Sequence, residues 1–172
     1  IEKKVRGAKK PSERDLTTPE GLTIAMREGL ITRRKLLGRV AEFYDPLGMF
    51  EPVKLNLKLM LSELNHLPWD SPIPLDQQDK WVSLLTLIDA MPEVEIPRCV
   101  RPPRAEKHVR LLCFADAGEQ AGGCAIYAGY RFPEGDFSCQ LIYAKSRLMH
   151  STVPRNELEA ILMCAEASLL VQ

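Results

Sequence analysis

The hydrophobic period of this chain changes about midway, and that change constrains its fold more than any other feature. Up to about residue 91, apolar residues recur at the three- and four-residue spacing of amphipathic helices. From about residue 108, short apolar runs alternate with turn residues, which is typical of strands. The pattern predicts an α+β protein: a helical region followed by a unit with the order strand, strand, strand, helix.

Start and stop signals delimit the helices of the first region. Thr32 suits the N-cap of a helix through RRKLLGRVAEFY, and the D-P-L-G run at 45–48 ends it because proline restricts the preceding residue. Pro52 suits the start of a second helix over VKLNLKLMLSELNHL, and a third follows the segment PWDSPIPL. A shorter helix follows Thr18 and Pro19, where threonine caps and proline takes the first turn.

Three strands and a helix are predicted for the second region. The segments HVRLLCFAD, CAIYAGYRF and FSCQLIYAKSR have the strand pattern, and the turn signals GEQAGG and PEGD separate them. The last segment, from about Pro154 to Val171, carries apolar residues at helical spacing, namely Leu158, Ile161, Leu162, Ala165 and Leu169. We therefore expect a three-stranded meander followed by a helix.

Composition argues against several classes of protein. An apolar fraction of 45% with 27% charged residues is typical of a soluble globular chain. No uncharged apolar run approaches the roughly 18 residues of a membrane span, so we expect an intracellular protein, cytoplasmic or nuclear, with no membrane partner. Because the chain begins with Ile1 and stops after an apolar stretch, we also expect it to be a piece of a longer polypeptide.

The cysteines and histidines do not form a recognisable site in the sequence. Five cysteines without a C-x-x-C pair and three scattered histidines argue against a zinc site or a disulfide framework. Cys113, Cys124 and Cys164 sit in apolar segments, so we expect them to be buried free thiols.

Positive charge is concentrated locally. Lys plus Arg and Asp plus Glu both total 23, so net charge makes no general case for nucleic acid binding. The basic clusters are IEKKVRGAKK, residues 33–35 and RCVRPPRAEKHVR. Each could contact phosphate, but solvated surface charge is the simpler interpretation.

Asp116 is the best candidate for a functional carboxylate. It follows the apolar run LLCFA and precedes small, turn-forming residues. A carboxylate at the end of a buried strand must be paired, solvated or bound to a metal, because an unpaired buried charge is costly. On this stretch alone, a structural role as a cap of the turn into Gly118 remains an equal alternative.

Three short motifs occur in the order that is typical of ribonuclease H. They are F-A-D-A at 114–117, the glycines at 122–123, and R-N-E-L-E-A at 155–160. In that family the first catalytic Asp closes the first strand of a three-strand meander, and the catalytic Glu begins the next helix. The second region therefore resembles the first part of a ribonuclease H-like domain.

A closer resemblance covers most of the chain from about residue 32. The stretches TRRKLLGRVAEFYDPLGMFEPV, WDSPIP with the later Trp81, IPR, FADAGEQAGGCAIY, and AKSR followed by VPRNELEA resemble, in this order, the Pol polyprotein of BEL/Pao long-terminal-repeat retrotransposons. The resemblance implies an unassigned basic segment (1–31), a helical reverse transcriptase connection-like region (32–92), a linker (93–107) and the N-terminal part of a ribonuclease H-like domain (108–172).

The resemblance also implies a chemistry. Ribonuclease H sites use carboxylates to hold two divalent ions roughly 4 Å apart, which cleave the RNA strand of RNA–DNA hybrids. By resemblance, Asp116 is the bridging metal ligand and Glu157 the second catalytic carboxylate. Helical geometry alone does not choose between Glu157, Glu159 and Glu166, so Glu159 remains the fallback. The expected ions are Mg²⁺ or Mn²⁺, which prefer oxygen ligands, and the expected partners are the hybrid and the rest of the polyprotein.

The chain departs from the family pattern in one important respect. A ribonuclease H site takes further Asp residues from beyond this helix, and none lies within this chain. Two carboxylates hold two magnesium ions poorly, so metal is expected only with the complete site. Enzymatic activity is therefore uncertain: we expect an endonuclease in the full-length context and an inactive fragment alone.

Two other functional classes remain open. The sequence F-A-D-A-G at 114–118 resembles the motif of retroelement aspartic peptidases, although Ala117 stands where their hydroxyl residue normally lies. The third alternative is a domesticated, non-catalytic module that binds nucleic acid or protein. The open edge of an incomplete sheet and the apolar last helix would also favour self-association.

Overall fold

The computed structural model describes residues 16, 18–92, 94–97 and 99–171. In chain order the elements are α1 (Pro19–Arg27), α2 (Arg33–Ala41), α3 (Glu51–Glu63), α4 (Leu75–Asp89), β1 (Val109–Ala117), β2 (Ala121–Arg131), β3 (Phe137–Leu148) and α5 (Val153–Leu170). This order confirms the predicted α+β class and the strand, strand, strand, helix unit. The basic cluster IEKKVRGAKK, within the unassigned segment 1–31, lies outside the described residues.

Contacts divide the chain into two compact units. The first unit comprises Ile1–Gly38 and Asn65–Glu93, and the second comprises Arg39–Leu64 and Val94–Gln172. The helix α3 therefore belongs to the same compact unit as the sheet. The domain boundaries implied by the resemblance, with a linker at 93–107, stay a prediction.

Local capping and apolar burial build the first unit. The Thr18 hydroxyl accepts a hydrogen bond from the Gly21 amide at 3.1 Å, which confirms the predicted start of α1. Helices α1 and α4 pack together, and Met26 and Trp81 are almost completely buried. The buried Gln78 side-chain nitrogen donates to the carbonyl oxygens of Met26 and Ile73, so this nitrogen is satisfied inside the core.

The basic residues at the start of α2 are engaged within the first unit. The Arg33 guanidinium lies 4.1 Å from the ring centroid of Trp69, and Arg34 Nε contacts Asp70 Oδ1 at 2.8 Å. Lys35 Nζ donates to the Leu30 carbonyl at 2.7 Å. These contacts give the cluster a structural role and join two stretches that carry the family resemblance.

The three strands form one antiparallel sheet in the order β1-β2-β3. In its register Asp116 pairs with Gly123, and a bulge lies at Ile126/Tyr127 between β2 and β3. Gly135 adopts a φ of 98° in the predicted PEGD hairpin, a conformation that favours glycine. Strands β1 and β3 are the two edges.

The core of the second unit lies between the sheet and α5. It contains Cys124, Ile126, Met163, Cys164 and Ala167, with Leu111 and Ala115 of β1 packed against it. Burial raises the pKa of the Cys164 thiol to about 11. Cys124 and Cys164 are thus buried free thiols as predicted, but the prediction was wrong for Cys113, which is exposed because β1 is an edge strand.

Helix α5 packs Ala160, Met163, Cys164 and Ala167 toward the sheet, and most of its leucine and isoleucine side chains point away from it. Its buried residues are Asn156, Ala160, Met163, Cys164 and Ala167. The stripe that predicted the helix is exposed instead, with Leu158 at 67% and Leu169 at 72% of their full accessibility. The helix therefore has two apolar sides, of which the described chain covers one.

None of the helices in the described part of the chain combines the length and the apolar character that crossing a bilayer requires.

Candidate functional site

Asp116 is the penultimate residue of β1, and its side chain is exposed. Its Oδ1 accepts a hydrogen bond from the adjacent Ala117 amide at 2.9 Å. The following turn is closed by the Gly118 amide, which donates to the Ala121 carbonyl at 2.8 Å. The carboxylate thus does not make the bond that closes the turn.

Glu157 is an exposed residue near the start of α5. Thr152 occupies the N-cap position with extended backbone, and the helix begins at Val153. Glu157 is therefore the fifth residue of α5, just after its first turn. It still lies at the end of α5 that meets the β1–β2 turn.

Asn156 fixes the start of α5 against the turn that follows Asp116. Its side chain is completely buried, and its amide donates to the carbonyl oxygens of Gly118 at 2.8 Å and Glu119 at 3.3 Å. It also bonds the Ser151 backbone in both directions. Asp116 lies two residues before Gly118, and Glu157 directly follows Asn156. The two carboxylates therefore lie at the same end of the second unit.

The neighbouring acidic residue Glu159 has a different environment. Its Oε1 lies 3.7 Å from Arg155 Nε, in an i, i+4 ion pair along α5. Within the described ranges, neither Asp116 nor Glu157 forms an ion pair. Of these two glutamates, Glu159 is therefore the one that an ion pair engages.

An open groove of about 790 Å³ begins beside Asp116. Leu111 and Ala115 of β1 face α5. Because side chains alternate along a strand, Phe114 and Asp116 point to the opposite face of the sheet, and the groove lies on that face. Phe114 and Tyr127 meet edge to face there, with ring centroids 5.9 Å apart. The small residues of β2 and the start of α3 complete its lining, including Gly122, Gly123, Ala125, Met49 and Pro52.

The D-P-L-G run holds one wall of this groove in place, and Gly48 is its member that lines the groove. Asp45 accepts hydrogen bonds from the amides of Met49 and Phe50, both at 2.9 Å. The Ala144 amide of β3 donates to the Leu47 carbonyl at 2.7 Å. Gly48 has a φ of 76°, and a side chain there would fall on the carbonyl oxygen of Ala144. The sequence identified this run as a helix stop and as part of the resemblance, whereas the structure shows that it docks α3 onto β3.

A buried charge network joins α3 to β3 in the same place. Glu51 accepts hydrogen bonds from the Ser146 hydroxyl and from the Ser146 amide at 2.8 Å. Lys54 and Lys58 each approach the Glu51 carboxylate to 2.9 Å, and Lys58 also donates to the Ser146 carbonyl. Burial raises the pKa of Glu51, but hydrogen bonds from Ser146, Lys54 and Lys58 outweigh it and lower that pKa from 4.5 to about 2.

Sequence reasoning missed both this network and Asn156. The stretches FYDPLGMFEPV and AKSR were identified as a helix boundary, as the end of a strand and as parts of the resemblance, and no periodicity indicates that their residues meet. Glu51 and Ser146 are 95 positions apart, so only the tertiary fold brings them together.

The two candidate carboxylates do not complete a metal site by themselves. Carboxylate oxygens are suitable ligands for hard divalent ions such as Mg²⁺. Across the described residues, however, no three His, Cys, Asp or Glu side chains form a group that could hold a metal ion. Asp116 and Glu157 are therefore not members of a complete metal-binding group in the described part of the chain.

Comparison with known proteins gives one match. A family model described as the Pao retrotransposon-like RNaseH-like domain matches residues 32–172. No curated protein matches, and neither does any solved structure. The matched range includes the D-P-L-G run, the Glu51 network, the sheet and α5.

Proposed function

This chain belongs to the Pao retrotransposon-like RNaseH-like domain family, and we propose that it contributes two metal ligands to a ribonuclease H site used in reverse transcription. The observation that carries the proposal is the Asn156 contact with the Gly118 carbonyl, because it holds the start of α5 beside the end of β1. Asp116 and Glu157 are the ligands. Glu159 is not, since Arg155 pairs with it.

The bound ions, Mg²⁺ or Mn²⁺, would supply activation of water and stabilisation of the leaving oxygen at the cleaved phosphodiester. In this chain, Asp116 and Glu157 offer oxygen ligands on a rigid strand end and a rigid helix, as precise metal binding requires. In the ribonuclease H pattern further carboxylates come from beyond the helix that carries Glu157, so we expect cleavage only when that part of the polyprotein is present, and no cleavage by the chain alone.

The partners that fit this role are an RNA–DNA hybrid and the remainder of the Pol polyprotein, inside the cell. Phosphate contact would have to come from cations other than Arg33 and Arg34, which are engaged by Trp69 and Asp70. Exposed Arg110 on β1 and Arg147 on β3 are available cations in the second unit.

A cleavage assay on a labelled RNA–DNA hybrid tests the proposal. The chain is incubated with Mg²⁺ or Mn²⁺, alone and fused to the polyprotein residues that follow it. We expect cleavage only from the fused protein, and we expect Asp116→Asn or Glu157→Gln to abolish it while Glu159→Gln does not. Cleavage by the chain alone that disappears in Asp116→Asn would contradict the claim that its site is partial.

A further inference from the structure

Three of the five cysteines meet where α5 packs on the sheet. Cys164 lies on the buried side of α5, in the same apolar cluster as Cys124 of β2. Cys113 lies on β1 two residues before Ala115, which is the register partner of Cys124. Because side chains alternate along a strand, Cys113 and Ala115 point to the same face of the sheet, the face that α5 covers. The three thiols therefore lie in one layer, built only from β1, β2 and α5.

The Cys164 thiol is the one that the other two share. Its Sγ donates to the Phe114 carbonyl oxygen at 3.5 Å, which places it beside the β1 backbone next to Cys113. The thiols of Cys113 and Cys124 both form hydrogen bonds with it. The helix approaches this closely because alanines lie one turn before and one turn after Cys164 on its buried side. Sulfur atoms in such contact need only a small movement to form a disulfide.

The chemistry that suits these thiols is oxidation. Across the described residues, no three His, Cys, Asp or Glu side chains form a group that could hold a metal ion. Burial raises the pKa of the Cys124 thiol and raises that of Cys164 to about 11, so both stay protonated near neutral pH and react slowly with oxidants. Cys113 is the exposed member of the three. The first oxidation is therefore expected at Cys113.

We propose that Cys113 and Cys164 form a reversible disulfide when a hydroperoxide oxidises the chain. The Cys113 thiolate attacks the peroxide and becomes a sulfenic acid, and the peroxide leaves as water or an alcohol. The Cys164 sulfur then attacks the Cys113 sulfur, the S–S bond forms, and the sulfenic oxygen departs as water with the Cys164 proton. A low-molecular-weight thiol reduces the bond and restores both cysteines. Transient disulfides of this kind are the usual form of redox sensing in reducing compartments.

The bond joins the two elements that carry the candidate site. Cys113 is three residues before Asp116 on β1, and Cys164 is about two turns after Glu157 on α5. Closing a loop of roughly 50 residues restricts the unfolded chain and so stabilises the folded one. Oxidation therefore fixes α5 more firmly on β1. The consequence for metal binding rests on the proposed function, whereas the bond itself does not.

Peptide mapping of the full chain tests the bond. In a Cys99→Ser, Cys139→Ser background, the chain is treated with hydrogen peroxide, alkylated, and digested after arginine and glutamate without reductant. Cleavage at Glu119 separates the peptides of Cys113 and Cys124.

We expect a linked pair of the Cys113 and Cys164 peptides that dithiothreitol removes. The pair should persist in Cys124→Ala and be absent in Cys113→Ser, a substitution at an exposed position. A bond between Cys124 and Cys164, or no intramolecular bond, overturns the proposal.

Thermal unfolding measures the consequence for stability. We expect the oxidised chain of the same background to melt about 5–10 °C higher than the reduced chain, and dithiothreitol to remove the shift. Cys113→Ser after the same peroxide treatment is the matched control and should show no shift. Equal melting temperatures for the reduced chain and the chain with the mapped bond would overturn the claim that the bond fixes α5 on β1. Neither measurement uses metal or nucleic acid, so its failure is distinguishable from failure of the cleavage assay.

Discussion

Buried Glu51 fastens α3 to β3 through Ser146, Lys54 and Lys58. A carboxylate with these partners is charged at almost every pH at which the protein is folded. Removing one member of a buried ionic network leaves its partners uncompensated, so single substitutions there are costly. The network makes α3 part of the unit that carries the candidate site.

We expect Glu51→Gln to lower the free energy of unfolding by about 3 kcal/mol at pH 7, the magnitude that a pKa of about 2 in place of 4.5 implies. Since the folded pKa is depressed, this stabilisation is complete above about pH 4.5 and is lost as pH falls toward 2. Urea unfolding across this range should show that the difference in unfolding free energy between Glu51→Gln and the unsubstituted chain shrinks as the pH falls. Exposed Glu63→Gln on the same helix is the control and should change little at any pH. If the difference in unfolding free energy did not change with pH, the role assigned to the ionised Glu51 carboxylate would be refuted.

Gly48 provides a second test at the residue scale. Gly48→Ala combines a positive φ with a collision against the Ala144 carbonyl, so we expect a loss of about 3 kcal/mol. Gly38→Ala is the matched control, because a side chain there meets nothing within 4 Å and alanine favours a helix. Thermal unfolding should separate the two variants clearly. Equal melting temperatures would show that the D-P-L-G run is not docked on β3.

At the scale of elements, α5 shows what periodicity reveals and what it leaves out. The spacing of Leu158, Ile161 and Leu162 correctly predicted a helix, but that stripe is exposed. Small residues such as Ala160 and Ala167 form the buried side because they let the helix lie close to the strands. Small residues carry a weak hydrophobic signal, so the side that packs was not predictable from the pattern.

Asn156 holds this helix in place. Asn156→Ala removes its bonds to the Gly118 and Glu119 carbonyls and leaves those partly buried groups without a protein partner, which costs about 1 kcal/mol. We expect faster hydrogen exchange in the first turns of α5 and in the β1–β2 turn. Ser168→Ala, which removes a local bond to the Ala165 carbonyl in the same helix, should leave that exchange unaltered. Unaltered exchange in Asn156→Ala would mean that the site does not depend on this contact.

At the scale of the whole molecule, the sequence predicted the class and the order of elements because local period and turn chemistry determine both. It did not predict that residues 39–64 join the sheet, since that association depends on contacts such as Glu51 with Ser146, far apart in the chain. For the site, sequence resemblance selected Asp116 and Glu157. The structure adds Asn156 as the residue that holds their two elements together.

The central claim is that Asp116 and Glu157 form a partial site for divalent ions. NMR relaxation by Mn²⁺ tests it most directly, because the paramagnetic ion broadens nearby backbone amides even when binding is weak. We expect broadening at residues 116–119 and 156–158, lost in both Asp116→Asn and Glu157→Gln and retained in the control Glu159→Gln. Broadening that persists in either of the first two variants, or that disappears only in Glu159→Gln, would contradict the account.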